Sequence, residues 1–282
     1  MNKPTEFPEQ NQELPGSEAA MKPNPEVIKK SYKGSGKLKE KAILITGGDS
    51  GIGRSVAVHA AREGANVAII FLSEEEDAKE TQRLVEMEGT ICLLLKGDIK
   101  DRDFCKKASD KAIDAFGKIN ILVNNAAVQY PKESILEINI SNLRDTFETN
   151  IYSFFYLVQD VLPQMASGDS IINTTSVTAY EGNQSLIDYS STKGAIVAFT
   201  RSLSQSLADK GIRVNAVAPG PIWTPLIVAT FDDNKEFGQD TPMQRAGQPS
   251  EVGPAFIFLA SEDSSYITGQ VIHVNGGRII GG

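Results

Sequence analysis

From Lys41 onward the chain alternates between short, unbroken apolar runs and longer segments with apolar residues at helical spacing. The runs Ala42 to Thr46, Asn66 to Leu72, Thr90 to Leu95, Ile119 to Asn124, Ser170 to Thr175, Ile212 to Ala218 and Gln270 to Val274 read as strands. They are continuously apolar rather than alternating, which predicts burial on both faces. Gly51 to Glu63, Glu74 to Glu88, Asp101 to Phe116, Ile187 to Asp209 and Pro249 to Ala260 read as helices. Gly89, Gly117 and Gly211 stand where such helices stop. A further helical region is expected from the fourth strand to about Met165. Strands alternating with helices in this way predict one doubly wound α/β domain. Its parallel sheet has about seven strands and carries helices on both faces.

Two stretches break the pattern. Residues 1–38 mix five prolines with Glu, Gln, Asn and Lys and hold few apolar residues. They read as a polar arm without a core of its own, either loose or packed on a neighbouring subunit. Residues 39–282 then form the domain. Within it, 221–247 contains Pro221, Pro225, Pro242, Trp223, Phe231 and Phe237 without periodicity. It follows the carboxyl end of a strand, the side on which open α/β sheets bind ligands, and reads as a substrate lid.

Composition adds limits. The net charge of −8 argues against nucleic acid or an anionic membrane as the main partner. No apolar run approaches the roughly 18 residues that span a bilayer, and the N-terminus has no signal-peptide core. The two cysteines lack metal or redox spacing, and their scarcity fits a reducing cytoplasm. His59 and His273 sit in apolar patterns and read as packing residues, so no metal is expected.

The chemistry lies in two motifs. Thr46-Gly47-Gly48-Asp49-Ser50-Gly51-Ile52-Gly53 joins the first strand to the first helix. Its glycines allow a tight turn and close approach to a pyrophosphate, which the helix N-terminus attracts. No Gly-Lys-Ser/Thr follows, so it is not a P-loop. Further on, Ser176 ends a strand, and Tyr189-Ser190-Ser191-Thr192-Lys193 opens a helix. Residues four apart share a helix face, so the Lys193 ammonium can sit beside the Tyr189 phenol. Lowering a tyrosine from about 10 to near 7 takes about 4 kcal/mol. One positive charge at about 4 Å supplies roughly that at an effective dielectric of about 20.

These motifs, with Asn124-Asn125-Ala126-Ala127, Asn150 and Pro219-Gly220, occur in an order and spacing that resembles the short-chain dehydrogenases/reductases. The resemblance covers about Lys39 to the C-terminus. The long arm and Pro-Gly-Pro-Ile-Trp-Thr-Pro are similar to a bacterial subgroup of general-stress oxidoreductases or aldehyde reductases. It implies a Rossmann-type fold, a homotetramer and hydride transfer between a nicotinamide cofactor and a small carbonyl or alcohol substrate. Tyr189 would be the general acid/base and Ser176 would hold the substrate oxygen. Lys193 would bind the nicotinamide ribose, and Asn150 would hold a water in the proton relay. Gly47, Asp49, Ser50, Gly51, Ile52 and Gly53 would cradle the cofactor. Asp98 and Ile99 would hold the adenine, Asn125 and Ala126 the middle of the dinucleotide, and Pro219, Gly220, Ile222 and Thr224 the nicotinamide end. Ala127 departs from the family's usual glycine.

NAD is favoured over NADP. The positions that usually read the ribose are Phe71 and Leu72, followed by Ser73 and the carboxylates of Glu74, Glu75 and Glu76, which repel a 2′-phosphate. Arg54 is the nearest cation in sequence. Trp223, Tyr130, Gln184 and Ile187 are further candidates for the substrate side. The alternative function is a catalytically silent dinucleotide-binding regulator. A hydrolase is excluded because Gly-x-Ser-x-Gly is absent.

Overall fold

The computed structural model describes residues 3–280. Seven parallel strands form one sheet: β1 Ala42–Thr46, β2 Asn66–Phe71, β3 Cys92–Lys96, β4 Ile121–Asn124, β5 Ser170–Thr174, β6 Arg213–Pro219 and β7 Val271–Val274. Their order is β3-β2-β1-β4-β5-β6-β7. The chain winds outward from β1 to β3, returns to place β4 beside β1, and winds outward the other way. This is the expected single Rossmann-type sheet, and its point of reversal lies between β1 and β4.

Successive residues of the central strand feed opposite layers, as strand geometry requires. Ile43 and Ile45 pack under α1 (Gly51–Arg62), α2 (Glu75–Met87) and α9 (Pro249–Ala260). Leu44 packs under α3 (Arg102–Phe116), α5 (Ser153–Val161) and α7 (Ile187–Leu207). Helix ends follow their chemistry. Asp101 caps α3 by accepting from the N–H groups of Asp103 and Phe104, and Gln248 with Glu251 forms a capping box on α9.

The helical region expected after β4 is interrupted. Residues 125–134 have no helix. A 3-10 turn, Ile135–Glu137, precedes α4 (Ile140–Phe147), which begins where the Asn139 side chain accepts from the Asn142 N–H. A π-helical turn, Glu148–Tyr152, then leads into α5. Pro131 and the Asn139 cap set these breaks. Two four-residue helices, α6 (Thr178–Glu181) and α8 (Pro225–Val228), were not foreseen. Pro225 opens α8 at the first helical position, where its missing N–H costs nothing.

The arm folds over its own domain rather than hanging loose. Phe7 and Met21 are buried in one cluster with Trp223, Val228 and Ala246 of the presumed lid. The Phe7 and Trp223 rings stack at 3.7 Å and 12°. Phe7 N–H donates to the Lys235 carbonyl at 3.0 Å, and Trp223 Nε1 donates to the Pro23 carbonyl at 2.9 Å. Phe7 and Met21 enter a core supplied by segment 221–247, while Val27, Ile28 and Leu38 pack on the main core beside α1 and α9.

No helix among the described residues is long and apolar enough to cross a membrane.

Candidate active site

A cavity of about 630 Å³ lies across the carboxyl ends of the strands at the β1/β4 reversal. This volume is within the roughly 300–1,000 Å³ of cofactor and small-molecule sites. Its lining includes Phe71, Leu72 and Asp98 at one end and Ser176, Tyr189 and Lys193 at the other, with the glycine turn in between.

The turn is shaped by what its glycines leave out. A Cβ on Gly53 would sit 1.9 Å from the Gly47 carbonyl oxygen, so the first helical turn can close on the loop only without a side chain there. Gly51 has φ +52° and faces Thr224, whose methyl a Cβ would meet at 3.1 Å. The turn is tied to the next strand by Thr46, whose hydroxyl accepts from the N–H groups of Asn125 at 2.8 Å and Ala126 at 3.0 Å. Asn125 Nδ2 donates back to the Thr46 carbonyl at 3.1 Å. Thus Asn125 braces the cradle as well as lining it.

At the other end, β5 stops at Thr174 and Ser176 follows on the cavity wall, its hydroxyl accepting from the Thr178 N–H at 3.2 Å. Helix α7 brings Tyr189 and Lys193 to the same wall. The expected pairing of ammonium and phenol is altered. Lys193 Nζ donates to the Thr174 carbonyl at 2.9 Å and lies 5.2 Å from the Tyr189 ring centroid. Burial pushes the Tyr189 phenol up to about 12, against a hydrogen bond from Ser176 that lowers it. Burial also pulls Lys193 down to about 7. Burial of the phenol therefore outweighs the single cation that sequence reasoning invoked.

Asn150 is fully buried in the π-helical turn. Its Oδ1 accepts from the Val128 N–H at 2.8 Å, and its Nδ2 donates to the Val128 carbonyl at 2.9 Å and to Thr192 Oγ1 at 3.2 Å. Thr192 Oγ1 in turn donates to the Tyr189 carbonyl. The Asn150 side chain thus links the segment after β4 to α7.

Other expectations divide. Gly47, Asp49, Ser50, Gly51, Ile52, Asp98, Ile99, Ala126, Pro219, Gly220, Ile222 and Thr224 all line the cavity, whereas Gly53 and Asn150 act from behind it. Of the three carboxylates after β2, only Glu74 lines the cavity. Glu75 pairs with Lys96 and Glu76 with Lys79. Trp223 is buried against the arm and, like Gln184 and Ile187, does not line the cavity; Tyr130 does, bonded to Asp145. Sequence reasoning missed Leu14 and Pro15 of the arm, which form part of the wall. Their only signal was an apolar pair in a polar segment.

The arrangement of a glycine cradle, a hydroxyl and a Tyr-x-x-x-Lys face on one cavity meets a match in known proteins. The family model described as Enoyl-(Acyl carrier protein) reductase fits residues 47–278. General stress protein 39 of Bacillus subtilis (strain 168) is 54% identical over 99% of this chain and 99% of its own. The chain belongs to the short-chain dehydrogenase/reductase family. Another relative, the chloroplastic NADPH-dependent aldehyde reductase 1 of Arabidopsis thaliana, is 51% identical over 94% of this chain and 96% of its own. A short-chain dehydrogenase from Burkholderia cenocepacia J2315, solved in complex with NADP, superposes with a TM-score of 0.81 at 27% identity. That match covers 86% of this chain and 98% of the other. As a short-chain dehydrogenase/reductase the protein is a nicotinamide-dependent oxidoreductase of carbonyl or alcohol groups. Nothing in its relatives or in the cavity supports the catalytically silent alternative.

Proposed function

We propose that Tyr189 protonates the substrate oxygen during carbonyl reduction and removes the proton during alcohol oxidation. The observation that carries this is the convergence of Ser176, Tyr189 and Lys193 on the wall of the cavity that the glycine turn also lines. Ser176 offers its hydroxyl to the substrate oxygen and holds it within reach of the phenol. The raised phenol is protonated at neutral pH, as the reduction direction requires; in the oxidation direction the phenolate would be favoured by the positive nicotinamide ring of the bound oxidised cofactor. Lys193 lies on the same wall, placed to hold ribose hydroxyls. The nicotinamide, when bound, supplies or accepts the hydride. The turn fits such a group: with no Cβ on Gly53, α1 closes against the Gly47 carbonyl, and Gly47, Ser50, Gly51 and Ile52 line the cavity at the helix N-terminus. Asn150 positions α7 through Thr192.

The cofactor proposed is NAD, although one relative is named for NADPH and one solved neighbour binds NADP. Among the cavity-lining residues, Asp49, Glu74, Asp98 and Asp145 face only two cations, Lys100 and Lys193. Lys100 is held by Asp98 and Asp145. Arg54 points away, buried between Glu18 and Asp77 at 2.6 and 3.1 Å. A 2′-phosphate would find no free cation at the adenosine end, whereas a ribose diol finds acceptors. The deciding measurement is kcat/KM for NADH and NADPH with one aldehyde. A higher value for NADPH would overturn the assignment.

The substrate proposed is a small uncharged carbonyl or alcohol, because the lid contributes Leu226 and Ile227 to the wall. The assembly proposed is a homotetramer. Tyr152 and Phe155 of the α5 region are about half exposed, and Phe155 lies 4.5 Å from Phe199 of α7. A second subunit would cover this apolar face. Light scattering that returns a monomer at micromolar concentration would refute it.

A further inference from the structure

Residues 3–38 add a wall to the cavity from a direction that the motifs do not reveal. Leu14 and Pro15 line the cavity near Gly51, Thr224 and Pro225. Gly16 follows with φ +83°, and a Cβ there would lie 2.9 Å from the Pro225 carbonyl oxygen, so the arm presses directly on α8 of the lid. On one side of this contact, the arm runs along the lid. Gln12 N–H donates to the Val228 carbonyl, Asn11 Nδ2 donates to Asp232 at 2.8 Å, and Phe7 stacks on Trp223. On the other side, Glu18 reaches the cofactor loop. Its Oε2 accepts from the Gly51 N–H at 2.6 Å, its Oε1 accepts from Arg54 at 2.6 Å, and its own N–H donates to Asp77 at 2.8 Å. Glu18 is 2% exposed. The carboxylate therefore sits on the first helical N–H of α1, where the dipole favours it.

We propose that the arm is an intramolecular clamp, with Leu14 and Pro15 as cavity wall and Glu18 as a positioning residue that locks lid and glycine turn together over the bound dinucleotide. The clamp slows dinucleotide release. Lid opening alone would break the Phe7–Trp223 stack and the Gly16 contact, so arm and lid must move together or the arm must first detach from the glycine turn. This rests on the dinucleotide occupying the cavity, and the experiment separates the two ideas.

Trp223 is the only tryptophan in the chain, so its emission reports on the arm. Stopped-flow release of NADH, chased with excess oxidised dinucleotide, should be measured for the full-length wild type, Phe7→Ala, Leu14→Ala and Glu18→Gln. The expected outcome is release about tenfold faster in Phe7→Ala and Glu18→Gln and a few-fold faster in Leu14→Ala. Trp223 emission of the free protein should shift to the red only in Phe7→Ala and Glu18→Gln. Release within twofold of wild type in Phe7→Ala, with the emission shifted, would overturn the clamp. If Glu18→Gln does not fold, Leu14→Ala decides, because truncating that side chain breaks no hydrogen bond between the arm and the glycine turn. A wild type that does not bind NADH or NADPH would defeat the site assignment itself.

Discussion

Lys193 Nζ lies 5.2 Å from the centre of the Tyr189 ring and donates to the Thr174 carbonyl, the last residue of β5. The ammonium thus ties α7 to the strand end, while Tyr189 lines the cavity with Ser176. Two residues four apart on one helix have separate duties. Replacing Tyr189 by Phe removes the only exchangeable proton of that ring and leaves its bulk. Turnover should fall at least a thousandfold, with NADH affinity within about threefold of wild type. Steady-state rates and fluorescence titration check this, and a variant keeping more than a tenth of the rate would exclude Tyr189 from the role.

Lys193 should be costly to the fold. Burial pulls it to about 7, against 10.5 for a solvated lysine. Between those values the unfolded chain holds a proton that the folded one lacks, so stability rises with pH across that window. Below about 7 both states are protonated and the cost is felt in full. Lys193→Met should therefore be inactive yet more stable at pH 7 by about 2 kcal/mol, once the lost bond to Thr174 is allowed for. The advantage should shrink towards pH 10. Denaturation midpoints of both proteins at pH 7 and 9.5 test the sign.

Asn150 links Val128 to Thr192 from a fully buried position. Truncation to Ala leaves the Val128 N–H and carbonyl without those partners. A loss of about 2–3 kcal/mol is expected. The rate should also fall at unchanged KM for the dinucleotide, because the support of α7 moves while the cradle does not. Urea unfolding together with kcat and KM separates the two effects.

Glu74 is the one carboxylate of its cluster on the cavity wall. Glu74→Arg replaces a charge that repels a 2′-phosphate with one that binds it. The kcat/KM for NADPH should rise about tenfold and that for NADH should fall. An unchanged ratio would place the ribose elsewhere.

Much of the fold was legible in the chain. The inner strands are buried on both faces and so appear as apolar runs that local pattern alone reveals, whereas the edge strands β3 and β7 are only partly buried, having a neighbour on one side alone. The region after β4 was misread because its apolar content is helical, while Pro131 and the Asn139 cap divide it. The site was legible where backbone geometry demands a residue type, as at Gly51 and Gly53, and where helical spacing sets a face, as at Tyr189 and Lys193. Residues with polar groups directed inward were harder to read. Asn150 and Arg54 stood out in the sequence, but their partners Val128, Thr192, Glu18 and Asp77 lie on distant segments that no local pattern names.

The sequence by itself determined the doubly wound sheet, the glycine turn at the start of α1 and the Ser176, Tyr189 and Lys193 set, because period, backbone freedom and helical spacing are local properties. Only the tertiary structure decided that the arm lies across its own lid, that Trp223 is core rather than pocket, and that burial raises Tyr189 and lowers Lys193. These depend on which distant segments meet. Phe7 finds Trp223 across more than two hundred residues, and the burial that raises the Tyr189 phenol comes from segments that meet only in the folded chain.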